Sequence, residues 1–162
     1  MATMDELLRL LQENALETPE NLAQMLDTNE EDVRQRIADY EQRGIIRGYQ
    51  AVIDEDRLDV DVVTAVIEVK ITPQREHGFN EIAERISRFP EVQSLFLMSG
   101  AFDLLLFVTG RTLHEVALFV SDKLATIEGI NSTATHFMLK TYKQNGVLMH
   151  SEDEYERLQV SP

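Results

Sequence analysis

The 162-residue sequence predicts an α+β chain in two parts, an N-terminal winged helix-turn-helix domain and a C-terminal ferredoxin-like β-α-β-β-α-β domain. Three observations predict it. Residues 5–42 carry apolar side chains at helical spacing, interrupted twice by capping and turn residues. Residues 64–142 switch between period-two and helical patterning in the order strand, helix, strand, strand, helix, strand. Between them lies LDVDV (58–62), a short acidic stretch without Gly or Pro that reads as a linker. The expected boundaries are therefore 1–57 for the first domain, 63–147 for the second and 148–162 for an acidic tail.

The first helix, within DELLRLLQE (5–13), has leucines at 7, 8, 10 and 11, a stripe suited to a small core. Thr18-Pro19 reads as an N-cap followed by Pro at the first helical position, opening PENLAQML. Asp27-Thr28-Asn29 makes a tight turn, and Asn29 caps a third helix with Asp32 near its positive end. Val33, Ile37 and Tyr40 give that helix one buried face, and Gly44 supplies a left-handed C-terminal cap. The alternation over 45–53 predicts two short strands or one bent strand, the wing.

In the second part, Ala65, Ile67, Val69 and Ile71 alternate on one strand face, and Phe79, Ile82, Ala83, Ile86 and Phe89 fall at helical spacing. VQSLFLM (92–98) and DLLLFVT (103–109) are strands joined by a tight turn at SGAF. Thr112 with Glu115 is a capping box for a helix to about residue 127, ended by Gly129. Residues 131–142 alternate again, with Thr133, Thr135, Phe137 and Leu139 on one face. Two helices cover one face of such a sheet, yet the central strands are apolar on both. A second copy of the chain is the natural cover for the other, so a homodimer is expected.

Composition excludes several classes. Hydrophobic residues at 43% and charged residues at 27% describe a soluble globular chain. The longest apolar run, 104–108, is far short of the ~20 residues of a membrane span, so no membrane partner is expected. There is no cysteine, and the start shows no basic-then-apolar signal; the cytoplasm is the expected compartment. His77, His114, His136 and His150 show no ligand-like spacing, so neither metal nor cofactor is expected. The formal charge of −14 sits badly with a generic nucleic-acid binder. Residues 1–60, the part resembling a DNA reader, hold six Arg against fifteen Asp or Glu.

The third helix still carries groove chemistry. With Val33, Ile37 and Tyr40 inward, Glu31, Gln35 and Ala38 point outward, with Arg34 on one flank and Asp32 and Asp39 on the other. Gln35 suits adenine, Arg34 guanine or phosphate, and Glu31 cytosine N4. Arg36, Arg43 and Arg47 reach toward flanking phosphates, with Asn29 at the helix start. The alternative is a solvated helix whose arginines pair with Glu30, Asp32 and Asp39. In the second part, Ser99, Gly100, Ala101, Phe102 and Asp103 form a turn whose N–H groups suit a carboxylate while Asp103 suits an ammonium group. Ser132, Thr133 and Thr135 add hydroxyls, the combination an amino acid asks for. The alternative here is a turn that needs Gly, with Asp103 bonding its backbone.

The stretches NLAQML-DTN-EEDVRQRI-x-x-YEQRGIIRGYQA (21–51), MSGAFDLLLFV (98–108) and INSTATHFMLKTYK (130–143), in this order, resemble the Lrp/AsnC (feast/famine) family of transcription regulators over nearly the whole chain. The resemblance implies double-stranded DNA as partner, dimers commonly gathered into octamers, and an amino-acid effector bound at subunit interfaces near the 98–108 hairpin. Gly100 and Asp103 carry over best by position. The departures are Asp27 where the family often has Gly, Asn29 where it usually has Ser or Thr, and Glu30, Glu31 and Asp32 where it commonly has neutral or basic residues. The expected function is a sequence-specific, amino-acid-responsive transcription regulator without enzymatic activity. The alternatives are an effector- or partner-binding protein that does not bind DNA, and an enzyme like the sirohaem decarboxylases, which share this architecture. Against the enzyme, no His and Arg constellation suited to tetrapyrrole carboxylates is visible.

Overall fold

The computed structural model describes residues 4–72 and 79–149. His77, His150, the Phe79 side chain and the acidic tail from residue 150 lie outside the described residues. The chain divides into two compact units, 1–51 and 52–162.

In the first unit, α1 (Glu6–Glu13), α2 (Pro19–Met25) and α3 (Glu30–Gln42) are capped by Asp5, Thr18 and Asn29, whose side chains accept from Leu7, Asn21 and Asp32 N–H groups. Leu7, Leu11, Leu22, Ala23 and Val33 form the buried core, with Ile37, Tyr40 and Ile46 packed against it. Both helix ends that shape the reader close the same way. After α2, Asp27 takes a left-handed φ of 51° while its N–H reaches Gln24 O and that of Thr28 reaches Ala23 O. After α3, Gly44 takes φ 66° while its N–H reaches Glu41 O and that of Ile45 reaches Tyr40 O at 2.8 Å. These are Schellman closures, which satisfy the last carbonyls and turn the chain sharply. Asp27 thus performs the turn that glycine would make with less strain.

The expected wing strands are absent: residues 45–54 form no ladder among the described residues. The N–H groups of Ile45 and Ile46 are both taken by Tyr40 O, and the Tyr49 hydroxyl folds back to donate to Glu41 at 3.0 Å. Alternation marked the sides of an extended segment here, without a partner strand for it to pair with.

In the second unit, β1 (Val63–Ile71), α4 (Phe79–Ser87), β2 (Val92–Leu97), β3 (Leu104–Gly110), α5 (Leu113–Leu118) and β4 (Ile130–Phe137) realise the predicted order. The antiparallel sheet runs β2-β3-β1-β4. Ala65, Ile67, Val69, Leu104, Leu106 and Val108 are fully buried on one face beneath Ile82 and Ile86 of α4 and Val116 of α5. Cross-strand register puts Val66, Leu105, Phe107 and Phe96 on the other face, where Phe96 is 50% exposed and meets Phe107 edge-on at 6.3 Å.

Two departures concern the later elements. The helix from Thr112 does not continue regularly: α5 passes at residue 119 into a π-helical turn (Phe119–Leu124). Glu115 caps backward onto Arg111 N–H at 2.8 Å instead of closing on Thr112 itself. Lys123 in the π turn bonds Glu91 and lies 5.9 Å from the Phe89 ring, which meets Phe119 edge-on, and these contacts hold the widened turn against the sheet. The last strand stops at Phe137, and a separate hairpin follows, β5 (Lys143–Gln144) and β6 (Val147–Leu148), around Asn145-Gly146 at positive φ. Asn-Gly is the strongest short hairpin signal, and it was there to be read in the sequence.

Candidate nucleic-acid interface and effector loop

On α3 the outward residues are Glu31, Gln35 and Ala38, all exposed, with Asn29 occupied as the cap at 2.8 Å from Asp32 N. Each helix arginine is bonded within the unit. Arg34 Nε donates to Glu30 at 3.0 Å, Arg43 to Asp39 at 2.8 Å, and Gln35 Nε2 to Glu31 at 3.0 Å. Arg47 is exposed and has no carboxylate partner among the described residues. These exposed pairs are weak, on the order of 0.3–0.5 kcal/mol each, so a phosphate can displace them at small cost.

Arg36 differs in kind. Its Nη2 donates to both oxygens of Asp5 at 2.7 and 3.0 Å, and Nη1 lies 3.5 Å from Asp32. Asp5 also accepts from the Tyr40 hydroxyl at 2.5 Å and from Leu7 N at 2.8 Å. One carboxylate therefore caps α1 and ties it to two turns of α3. The Tyr40 hydroxyl, with Leu7 N–H and Arg36, holds the Asp5 carboxyl below its usual range against the opposing effect of burial; the same bond to Asp5 raises Tyr40. This geometry makes Arg36 a brace of the reader's fold. Nothing in the spacing of residues 5, 36 and 40 announced it, because the contact closes only in three dimensions.

The loop 98–103 joins β2 to β3 and is closed by Met98 N donating to Asp103 O at 2.8 Å. Ser99, Gly100 and Ala101 are exposed, and Gly100 has φ 150° with open space where a Cβ would stand. Its backbone is thus free to be approached closely. Asp103 has a definite structural partner. Its N–H donates to Val69 O at 2.9 Å and its Oδ2 accepts from Ile71 N at 2.7 Å, so the carboxylate extends the β1–β3 ladder beyond the last paired residues, Val69 and Leu104. Among the described residues Oδ1 carries no bond of this kind. The hydroxyl residues do not converge on one face. Thr133 and Thr135 pair with Val69 and Ile67 on the helix-covered side, whereas Ser132 pairs with Lys70 and is exposed on the other. Strand β1 separates all three from β3. Phe102 is half-buried beside Asp103.

The comparison with known proteins places these parts in one frame. The Lrp/AsnC ligand binding domain matches residues 64–148. YugG of Bacillus subtilis, an uncharacterized HTH-type transcriptional regulator, is 44% identical over 158 residues, covering 97% of this chain and 95% of its own. An uncharacterized HTH-type transcriptional regulator of Pyrococcus furiosus is 35% identical over 144 residues, covering 86% and 95% respectively. Among solved structures, a Neisseria meningitidis transcriptional regulator in complex with L-Met superposes with a TM-score of 0.70 at 27% identity, covering 88% of this chain and 94% of that one. Escherichia coli AsnC shares the fold at a TM-score of 0.67 and 22% identity, over 88% and 97% of the two chains. Among the described residues no helix is long and apolar enough to cross a membrane. The chain belongs to the Lrp/AsnC family of transcriptional regulators.

Proposed function

We propose that the protein binds a specific DNA sequence through α3 and that a small amino acid, bound near loop 98–103, modulates its assembly or DNA affinity. The observation that carries the DNA part is the α2–turn–α3 unit, closed by two Schellman turns, with Glu31, Gln35 and Ala38 exposed along one stripe. The effector part is supported by the open backbone at Gly100 beside the free Oδ1 of Asp103, an amide-and-carboxylate pairing suited to an amino acid. The relative solved with L-Met supports that chemical class. The open sheet face around Phe107 is the surface on which a second copy packs, and further dimers build an octamer. A homo-oligomer matters here because the reader alone has thin phosphate contact.

Fluorescence anisotropy on duplex DNA from upstream of the protein's own gene tests the reading, against a scrambled duplex, with and without L-amino acids. Preferential binding that falls with salt and shifts with an amino acid is the expected result. One observation favours a second reading, a partner-binding protein that does not bind DNA: Arg34, Arg36 and Arg43 all have carboxylate partners within the reader. No preference for any duplex from an assembled oligomer would select it.

A further inference from the structure

The exposed stripe of α3 continues from Glu31, Gln35 and Ala38 to Gln42, and it contains no cation. The arginines stand on its flanks, tied to Glu30 and Asp39. The commonest way a helix reads guanine, a bidentate Arg on O6 and N7, is therefore missing from the centre of the reader. What stands near the helix N-terminus, the end that meets base edges in helix-turn-helix readers, is a linked carboxylate and amide. The bond from Gln35 Nε2 to Glu31 Oε1, at 3.0 Å, uses one amide hydrogen and joins the two side chains along the stripe. The remaining N–H and the carbonyl form a donor–acceptor pair, complementary to adenine N7 and N6. Glu31 when ionised only accepts. In the major groove cytosine N4 and adenine N6 donate, whereas guanine O6 and N7 and thymine O4 offer lone pairs that a carboxylate repels.

We propose that Glu31 and Gln35 act as one reading unit that selects exocyclic amino groups, taking cytosine N4 at Glu31 and the adenine edge at Gln35. The half-site then holds a contacted cytosine and adenine at neighbouring base pairs, with guanine and thymine rejected at the Glu31 position. This deepens the proposed function and rests on α3 being a DNA-reading helix. It also gives the acidic leading edge a use: Glu31 repels phosphate and mismatched bases alike, trading general affinity for discrimination.

The test uses the full chain. Selection from a randomised duplex library at low salt defines the half-site, and anisotropy follows on the best duplex and its single-base variants. Exchanging the contacted cytosine for thymine replaces an amino group by a carbonyl and should weaken wild-type binding by at least roughly tenfold. Glu31→Gln, whose amide donates as well as accepts, should bind both duplexes within about threefold of each other and gain affinity for unrelated DNA. A wild-type protein indifferent to every such exchange, or a Glu31→Gln variant that keeps the full cytosine preference, overturns the reading unit while DNA binding itself stands. Failure to prefer any duplex overturns both.

Discussion

Asp5→Ala is the sharpest perturbation the reader offers, because one carboxylate makes four bonds there. Loss of the α1 cap costs about 1 kcal/mol. The Tyr40 hydroxyl bond to a charged acceptor contributes about 1 kcal/mol more. The Arg36 pair sets one nitrogen on both Asp5 oxygens, but the Arg36 and Asp5 side chains are 32% and 34% exposed, so solvent screening holds it to about 1 kcal/mol. The bonds share one group and do not add fully, which leaves roughly 2–3 kcal/mol. A unit the size of residues 1–51 has on the order of 3–8 kcal/mol in all, so the variant loses about a quarter or more of its reader's stability. Urea unfolding followed by circular dichroism reads the total, and amide exchange localises it to α1 and α3. Asp5→Asn keeps a good cap and should lose about half as much. An Asp5→Ala protein within about 0.5 kcal/mol of wild type would refute the brace.

The same group sets a pH response. The folded Asp5 carboxyl titrates below its unfolded value near 4, so its contribution is fully present above that value and is lost as pH falls through the lower, folded value. Tyr40 is shifted upward, and its contribution is present below about pH 10 and disappears as pH rises through the folded value. The reader should therefore loosen at both extremes and be insensitive to these two groups at neutral pH.

Asp27→Gly relieves a non-glycine residue at φ 51° and removes one negative charge, and should raise the urea midpoint by the equivalent of about 0.5 kcal/mol. Phe107→Asp places a charge on the open sheet face and should shift the protein toward monomer by light scattering; an unchanged oligomer would show that this face is not covered by a second copy. Asp103→Ala leaves Ile71 N–H without its acceptor, which should cost about 1–2 kcal/mol and abolish any amino-acid response; stability unchanged in that variant would deny the ladder role.

The local rules read well from sequence. Caps at Asn29, Thr18 and Thr112, the cap at Gly44, and the β-α-β-β-α-β order all depend on residues within four positions of each other, and all stand in the structure. What failed or was missed depends on partners distant in sequence. Alternation at 45–53 could not say whether a neighbouring strand existed. The Asp5–Arg36–Tyr40 brace joins residues 31 and 35 positions apart. The Asp103 carboxylate bonds Ile71 N–H, 32 positions away, a partner that the turn's own sequence does not name. Ser132 and Thr133 are neighbours in sequence but point to opposite faces of β4, because adjacent side chains in a strand alternate.

The question raised by the acidic reader has a physical answer in how its charges are spent. The arginines of α3 and its cap are not surplus positive charge awaiting phosphate: Arg36 holds the fold, and Arg34 and Arg43 carry weak, exposed pairs that DNA must exchange. Under the proposed function, a single reader therefore binds weakly, and useful occupancy comes from several readers presented together at an effective concentration set by the assembly. A tight single reader would stay on DNA however the subunits were arranged. A weak one is released when assembly geometry changes, so under this proposal thin phosphate contact would make an effector acting on assembly an efficient switch.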